Sequence, residues 1–235
     1  MVTNLLTFIL AESALETVPQ QIQKHPSVRR HSKRTNKPTK QLLLDRSIHH
    51  AAMQNLENSN KRGRPDITHL ALLEALGSPL NKEGLLRTFV HTNRDYVITV
   101  NPKTRLPRNY NQFTGLMQQL FQQKQVPPNA EPLLTLEQKT LNQLLNQQQP
   151  DYILLLSTQG NPKTVHDAIS SLQTKQNPAV IVGGFPHGDF AQATRELADE
   201  IITIDSAPLD AWTITARAIY EYEQAISLSS KRLEI

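Results

Sequence analysis

Two groups of residues in this sequence have types and spacings that can do chemistry. The first is a set of three loops, each following an apolar run: Ser157-Thr158-Gln159-Gly160, Gly183-Gly184-Phe185-Pro186-His187-Gly188-Asp189 and Asp205-Ser206-Ala207-Pro208-Leu209. Loops at the carboxyl ends of parallel strands are where open α/β proteins hold small ligands, and a glycine pair lets backbone and ligand approach closely. They suit a nucleotide-like ligand, although such glycine pairs also serve as plain tight turns. A phosphate loop would need a glycine-rich turn followed by Lys-Ser/Thr, and neither that nor GxGxxG is present. The second group is Gly63-Arg64-Pro65-Asp66-Ile67-Thr68-His69 together with Asn101-Pro102-Lys103-Thr104-Arg105-Leu106-Pro107-Arg108. Proline beside arginine stiffens a loop, so that the guanidinium is held toward a planar acceptor or a phosphate. Asp66, two residues from Arg64, can fix it by an ion-paired hydrogen bond. An acid in the first turn of an ordinary helix, with surface arginines nearby, reads the same way.

Other constellations carry less. His187 and Asp189 read either as an acid-base pair or as loop residues with local partners, and His49-His50 lacks the spaced third ligand of a catalytic metal site, so no metal is expected. There is no G-x-S-x-G elbow to support a hydrolase. The absence of cysteine excludes disulfide scaffolds, thiolate zinc sites and cysteine nucleophiles.

The elements that must position these groups follow from pattern. With 235 residues, 38% of them apolar, the chain can bury a sizeable core. Its net charge of 25 − 21 = +4 is unevenly placed. Residues 1–64 hold eleven basic and four acidic side chains, and Lys24, Arg29, Arg30, Lys33, Arg34, Lys37 and Lys40 follow one another with no acid between. Such a run attracts a polyanion, or is a mobile solvated loop; without aromatics it fits phosphate contact better than base stacking. Leu5 to Ala11 has no basic leader and is closed by Glu12, so neither a secretion signal nor a membrane span is expected, and the protein is placed in the cytoplasm.

Strands are expected at Asn4–Leu10, Leu86–His91, Tyr96–Val100, Tyr152–Leu156, Ala179–Val182 and Ile201–Ile204. Helices are expected at Leu42–Leu56, Ile67–Leu76, Phe113–Gln125, Leu136–Gln147, Lys163–Leu172 and Asp210–Ile226. The strand-helix-strand order after Asp151 is that of a parallel α/β sheet. The Gln-rich region 118–149 reads as a helical insert, and 24–64 as a basic, phosphate-contacting extension within one domain spanning 1–235.

The ordered strings Gly63 to His69, Ser78-Pro79-Leu80-Asn81 and Gly84-Leu85-Leu86 resemble the signature of the nucleolar essential protein family, the ribosome-biogenesis pseudouridine N1-methyltransferases of the SPOUT superfamily. Arg105-Leu106-Pro107-Arg108, Phe113-Thr114-Gly115-Leu116-Met117, the Gly183 to Asp189 loop and Ala207-Pro208-Leu209 are similar to its later motifs. Leu44-Asp45-Arg46-Ser47 with His49-His50-Ala51-Ala52-Met53 resembles its archaeal branch. The resemblance implies a homodimeric α/β knot whose C-terminal trefoil binds S-adenosylmethionine. The implied cofactor residues are Ser157, Thr158, Pro162, Gly183, Gly184, Phe185, Gly188, Ile204, Asp205, Ser206, Ala207, Pro208 and Leu209. It assigns the basic 24–64 extension to RNA contact, Arg64, Arg105 and Arg108 to a pseudouridine-containing hairpin of small-subunit ribosomal RNA, and Asp66 to holding an arginine; Arg64 and Asp66 are the catalytic pair it offers. Gln112, standing where close relatives carry a basic residue, is a neutral RNA contact. Trp212 and Tyr220 fall on a dimer-facing helix, and ribosomal proteins are further partners. The competing expectation is a non-catalytic RNA-binding assembly factor that retains the cofactor loops.

Overall fold

The structure, a computed structural model, describes residues 5–234. In chain order the strands are β1 (Leu6–Ser13), β2 (Leu86–Thr92), β3 (Tyr96–Val100), β4 (Gln125–Val126), β5 (Leu134–Gln138), β6 (Tyr152–Pro162), β7 (Pro178–Gly183) and β8 (Glu200–Thr203). The helices begin with α1 (Pro26–Thr35), α2 (Arg46–Met53), α3 (Pro65–Gly77), α4 (Pro79–Lys82) and α5 (Tyr110–Gln123). They continue with α6 (Leu141–Gln148), α7 (Val165–Ser170), α8 (Gln192–Arg195), α9 (Ala211–Ala225) and α10 (Leu228–Leu233).

One sheet joins all the strands in the order β4-β5-β3-β2-β1-β7-β6-β8. Strands β2, β1, β7, β6 and β8 run parallel, as expected for the strands after Asp151, and antiparallel β3, β5 and β4 extend them into a mixed sheet. Strand β1 is central because Leu6, Phe8, Ile9, Leu10 and Ala11 are all buried, the continuous apolar run of a strand covered on both faces. One face packs under α3, α5, α7 and α9, and the other receives α6 and Phe190. Of the expected first strand, Asn4 lies outside the described residues; the strand itself runs on to Ser13. Its register with β2 slips between Leu10 and Ser13, where Glu12 takes a positive φ of 50°. This bulge bends the strand end at the carboxyl edge of the sheet.

Several expected elements are corrected by local chemistry. Leu42–Leu56 is helical only as α2, because Leu43 forms a bridge with Thr17 and the Asp45 carboxylate caps the helix by accepting from Ser47 N at 2.8 Å. The helix expected from Leu136 is strand as far as Gln138: Leu134 and Leu136 are buried on either side of Thr135, a period of two, and Thr140 then starts α6 with a capping box. Region 118–149 is thus no helical insert, since two of its segments, β4 and β5, extend the sheet. The basic run is no loose loop. It folds as α1, capped by the His25 side chain at one end and by left-handed Asn36 at the other. Val28 anchors it in a small core with Val18, Ile22, Leu42, Leu44, Ala52 and Met53, a burial worth about 1.5–3 kcal/mol.

Strand β6 carries the feature that distinguishes the C-terminal half. Ile202 of β8 pairs with both Leu156 and Asn161, so the intervening chain crosses β8 instead of leaving along its edge. Gly160 makes the crossing possible, for a Cβ there would stand 2.3 Å from the Ile202 carbonyl carbon. A knotted C-terminal half requires a crossing of this kind. No helix among the described residues is long and apolar enough to cross a membrane.

Candidate active site and nucleic-acid interface

Because β7, β6 and β8 are neighbours and parallel, the three loops anticipated from sequence end beside one another and enclose a pocket. From β6 come Ser157 and Thr158; from the loop after β7, Gly183, Phe185 and Gly188; from the segment after β8, Ile204, Asp205, Ala207, Pro208 and Leu209. Phe185 and Phe190 meet edge to face at 5.2 Å, and with Leu209 and Ile214 they give an apolar wall. The polar rim is fixed from within. Ser157 Oγ donates to Asp189 Oδ1 at 2.7 Å, Arg195 holds the other oxygen, and Asp205 Oδ1 accepts from Ala207 N at 3.0 Å. With both oxygens so engaged, Asp189 is a loop anchor and not the acid-base partner of His187.

Three anticipated residues lie outside the lining. Pro162 pairs with Thr203, and Ser206 is an exposed loop tip. Gly184 packs on β1: a Cβ there would sit 2.2 Å from Ser13 Oγ, and its backbone bonds Ala11 and Ala14. Gly183 does face the pocket, yet its nearest neighbours are the Phe185 and Phe190 rings, so it gives room to the aromatic wall. Phe190 and Ile214 were not anticipated; both lie outside the loop strings, and only the folded chain turns them inward.

The lining contains no Lys or Arg, while Asp189 and Asp205 contribute to it. A phosphate-bearing nucleotide finds no counter-charge in such a site. A flat heterocycle finds an apolar wall, and the loop carboxylates are themselves ion-paired, Asp189 with Arg195 and Asp205 with Arg217 at 3.8 Å, so the lining suits a nucleoside without phosphates.

The arginine surface begins two hydrogen bonds away. Ala14 N donates to the Gly184 carbonyl at 2.8 Å, and the Ala14 carbonyl accepts from Arg64 N at 3.1 Å. Arg64 precedes α3, with Pro65 in the first turn, where its fixed φ suits a helix start. Its Nε donates to Asp66 Oδ1 at 2.8 Å and its Nη2 to Oδ2 at 2.7 Å. That fork raises the Arg64 pKa, and Asp210, next to Leu209 of the pocket, adds to the rise. The guanidinium is thus oriented, charged and still 35% exposed.

One turn further along α3, the ring of His69 stacks on Phe113 at 4.3 Å, and its Nε2 meets the Pro107 carbonyl at 2.7 Å. This contact holds the Arg105–Arg108 loop against the helix that starts at Arg64. Both arginines are exposed and, among the described residues, have no ion-pair partner. Gln112 is exposed in the first turn of α5, capped by Asn109.

Sequence reading missed the support behind these residues. Tyr110 donates to Asp45 Oδ2 at 2.6 Å, and burial followed by that bond raises the Tyr110 pKa. His49 Nδ1 accepts from Asp45 N at 3.1 Å, which leaves its Nε2–H to donate to His31 Nδ1 at 2.9 Å. Burial first, then His31, lowers the His49 pKa to about 4. Basic helix α1 is thereby tied through His31, His49, Asp45 and Tyr110 to the arginine loop.

A mixed α/β sheet whose crossed C-terminal strands enclose a pocket beside an exposed arginine surface is the frame of an α/β methyltransferase. Residues 8–223 match the family model described as EMG1/NEP1 methyltransferase, and the chain belongs to that family. It is 46% identical over 221 residues to the ribosomal RNA small subunit methyltransferase Nep1 of Pyrococcus furiosus, covering 93% of this chain and 96% of that protein. The Thermococcus kodakarensis protein of the same description is 43% identical, with 95% and 100% coverage. The crystal structure of Archaeoglobus fulgidus Nep1 bound to S-adenosylhomocysteine superposes with a TM-score of 0.83 at 36% identity, covering 94% and 98% of the two chains.

Proposed function

We propose that this protein transfers the methyl group of S-adenosylmethionine to N1 of a pseudouridine in a hairpin of small-subunit ribosomal RNA. The observation that carries the reading is the adjacency of a pocket lined by no Lys or Arg and an arginine surface, joined through Ala14. When bound, the cofactor supplies an activated methyl on a sulfonium. Phe185 and Leu209 would hold its heterocycle, the glycine-bearing loops would present backbone groups to it, and Asp189 and Asp205, paired to Arg195 and Arg217, would hold the loops around it. Ser157 and Thr158 close the polar end.

On the RNA side, Arg64, Arg105 and Arg108 bind the hairpin and turn the target base toward the pocket, with Gln112 as a neutral contact. In pseudouridine N1 is not bonded to the sugar. Its electron pair would form the new N–CH3 bond as the S–CH3 bond breaks, and the N1 proton would pass to solvent water. Arg64 stabilises negative charge developing on the base, and Asp66, both of whose oxygens bind Arg64, orients that arginine and is not a general base. The six exposed basic residues of 24–40 supply sequence-independent phosphate attraction.

The protein works as a homodimer, with exposed Tyr220 of α9 and Leu70 of α3 in the interface, in the cytoplasm and beside ribosomal proteins of the maturing subunit. The test is transfer of labelled methyl to two hairpins that differ only in pseudouridine or uridine. Label in the pseudouridine RNA alone supports the reading, and equal label in both refutes it. Cofactor binding without transfer to either favours the assembly-factor alternative.

A further inference from the structure

One basic side chain grips the pocket loop from behind. The helical turn Ser59–Lys61 ends just before Gly63, and Lys61 is not among the pocket-lining residues. Lys61 Nζ donates to the Asp189 carbonyl, lies 4.5 Å over the Phe185 ring and pairs with Glu12 Oε2 at 3.4 Å. Its Cε would be 3.1 Å from a Cβ at Gly188, so its stem runs along the same loop. Glu12, the left-handed residue at the end of β1, completes the grip by accepting from Ala191 N at 2.8 Å. The inner side of this loop, Phe185 and Asp189, is pocket wall.

We propose that Lys61 is a positioning residue for cofactor binding: it sets Phe185 and the Asp189 backbone, and through them the shape of the pocket, without touching the cofactor. The inference rests on the reading of this pocket as the S-adenosylmethionine site. A cation over an aromatic face and a charged donor to a carbonyl are both orientation-dependent, so their loss releases the loop even where the fold is intact.

The experiment uses the full chain as wild type, Lys61→Met and Lys61→Arg. S-adenosylhomocysteine affinity is measured by calorimetry, with the ligand-free thermal midpoint and the KM values for S-adenosylmethionine and for the pseudouridine hairpin. Lys61→Met should bind about tenfold more weakly and raise KM for the cofactor by a similar factor, with the hairpin KM and the midpoint unchanged. Lys61→Arg, which keeps a cation over Phe185, should recover most of the affinity. Unchanged affinity in Lys61→Met overturns the proposal, as does an equal rise in both KM values with a lowered midpoint, the mark of a general structural role. If Lys61→Met fails to fold, Glu12→Gln weakens the same grip, and unchanged affinity there is equally decisive. A wild-type protein that binds no S-adenosylhomocysteine overturns the pocket assignment itself, a different result from any of these.

Discussion

Replacing Asp66 by alanine separates orientation of Arg64 from its charge. The fork between the two is 35% exposed on each side, so solvent screens it and its share of folding stability is under ~1 kcal/mol. Loss of an acid from the first turn of α3 removes another ~0.3–1 kcal/mol of helix-dipole stabilisation. Against the roughly 5–15 kcal/mol of a domain, Asp66→Ala should stay folded. The functional loss is larger. A free arginine side chain carries about 2 kcal/mol of rotamer entropy, which Asp66 removes in advance and RNA binding must otherwise remove. At 1.36 kcal/mol per tenfold, kcat/KM for the pseudouridine hairpin should fall roughly 10- to 30-fold.

The assay is initial-rate methyl transfer at saturating S-adenosylmethionine, with S-adenosylhomocysteine affinity measured in parallel. That affinity should not change, because Asp66 lies outside the pocket lining. Transfer at wild-type efficiency would refute the orientation argument. A parallel loss of cofactor affinity would show that Asp66 acts on the pocket instead.

Neutralising Lys33 and Arg34, exposed at the end of α1, should weaken binding of all RNAs alike and lower the salt slope by about one for each phosphate contact removed; an unaltered slope in a salt titration would remove α1 from the interface. The lowered pKa of His49 makes stability depend on pH: the unfolded chain binds a proton between about 4 and 6.5 that the folded chain refuses. Its contribution is therefore complete above pH 6.5 and lost as pH falls toward 4, and thermal midpoints of His49→Gln across that range should show a flatter dependence than wild type.

What could be read from the sequence, and what could not, divides by distance along the chain. Arg64 and Asp66 are two residues apart, and their fork is a local event that spacing announces. The central strands announce themselves too, since continuous apolar runs of that length have few other uses. His69 meets Pro107 across 38 residues, Tyr110 meets Asp45 across 65 and Lys61 meets Asp189 across 128, and no periodicity encodes such pairs. The adjacent glycines show a second limit. Gly183 makes room for two aromatic rings and Gly184 for β1, so identical residue types answer to different neighbours. In the Gln-rich region, polar composition masked a period of two carried by Leu134 and Leu136 alone.

The segment from Lys61 to Asp66 shows how one short stretch can reach both the pocket loop and the arginine surface. Arg62 is extended, with φ −122° and ψ 159°, so its side chain departs from that of Lys61 and turns inward. There Nε and Nη2 each meet a Glu16 oxygen at 2.7 Å, with the two side chains only 7% and 4% exposed. Asn93 and Arg94 also donate to Glu16, at 3.1 and 3.4 Å, which leaves the buried carboxylate well satisfied. Breaking a buried pair of this kind leaves a charge without compensation and costs about 3–5 kcal/mol, so the backbone here has little freedom to shift. Lys61 on one side and Arg64 on the other inherit that rigidity. Lys61 behind the pocket loop and the exposed Arg64 are placed by a single anchored turn of chain, and that turn sets the spacing between the pocket and the arginine surface.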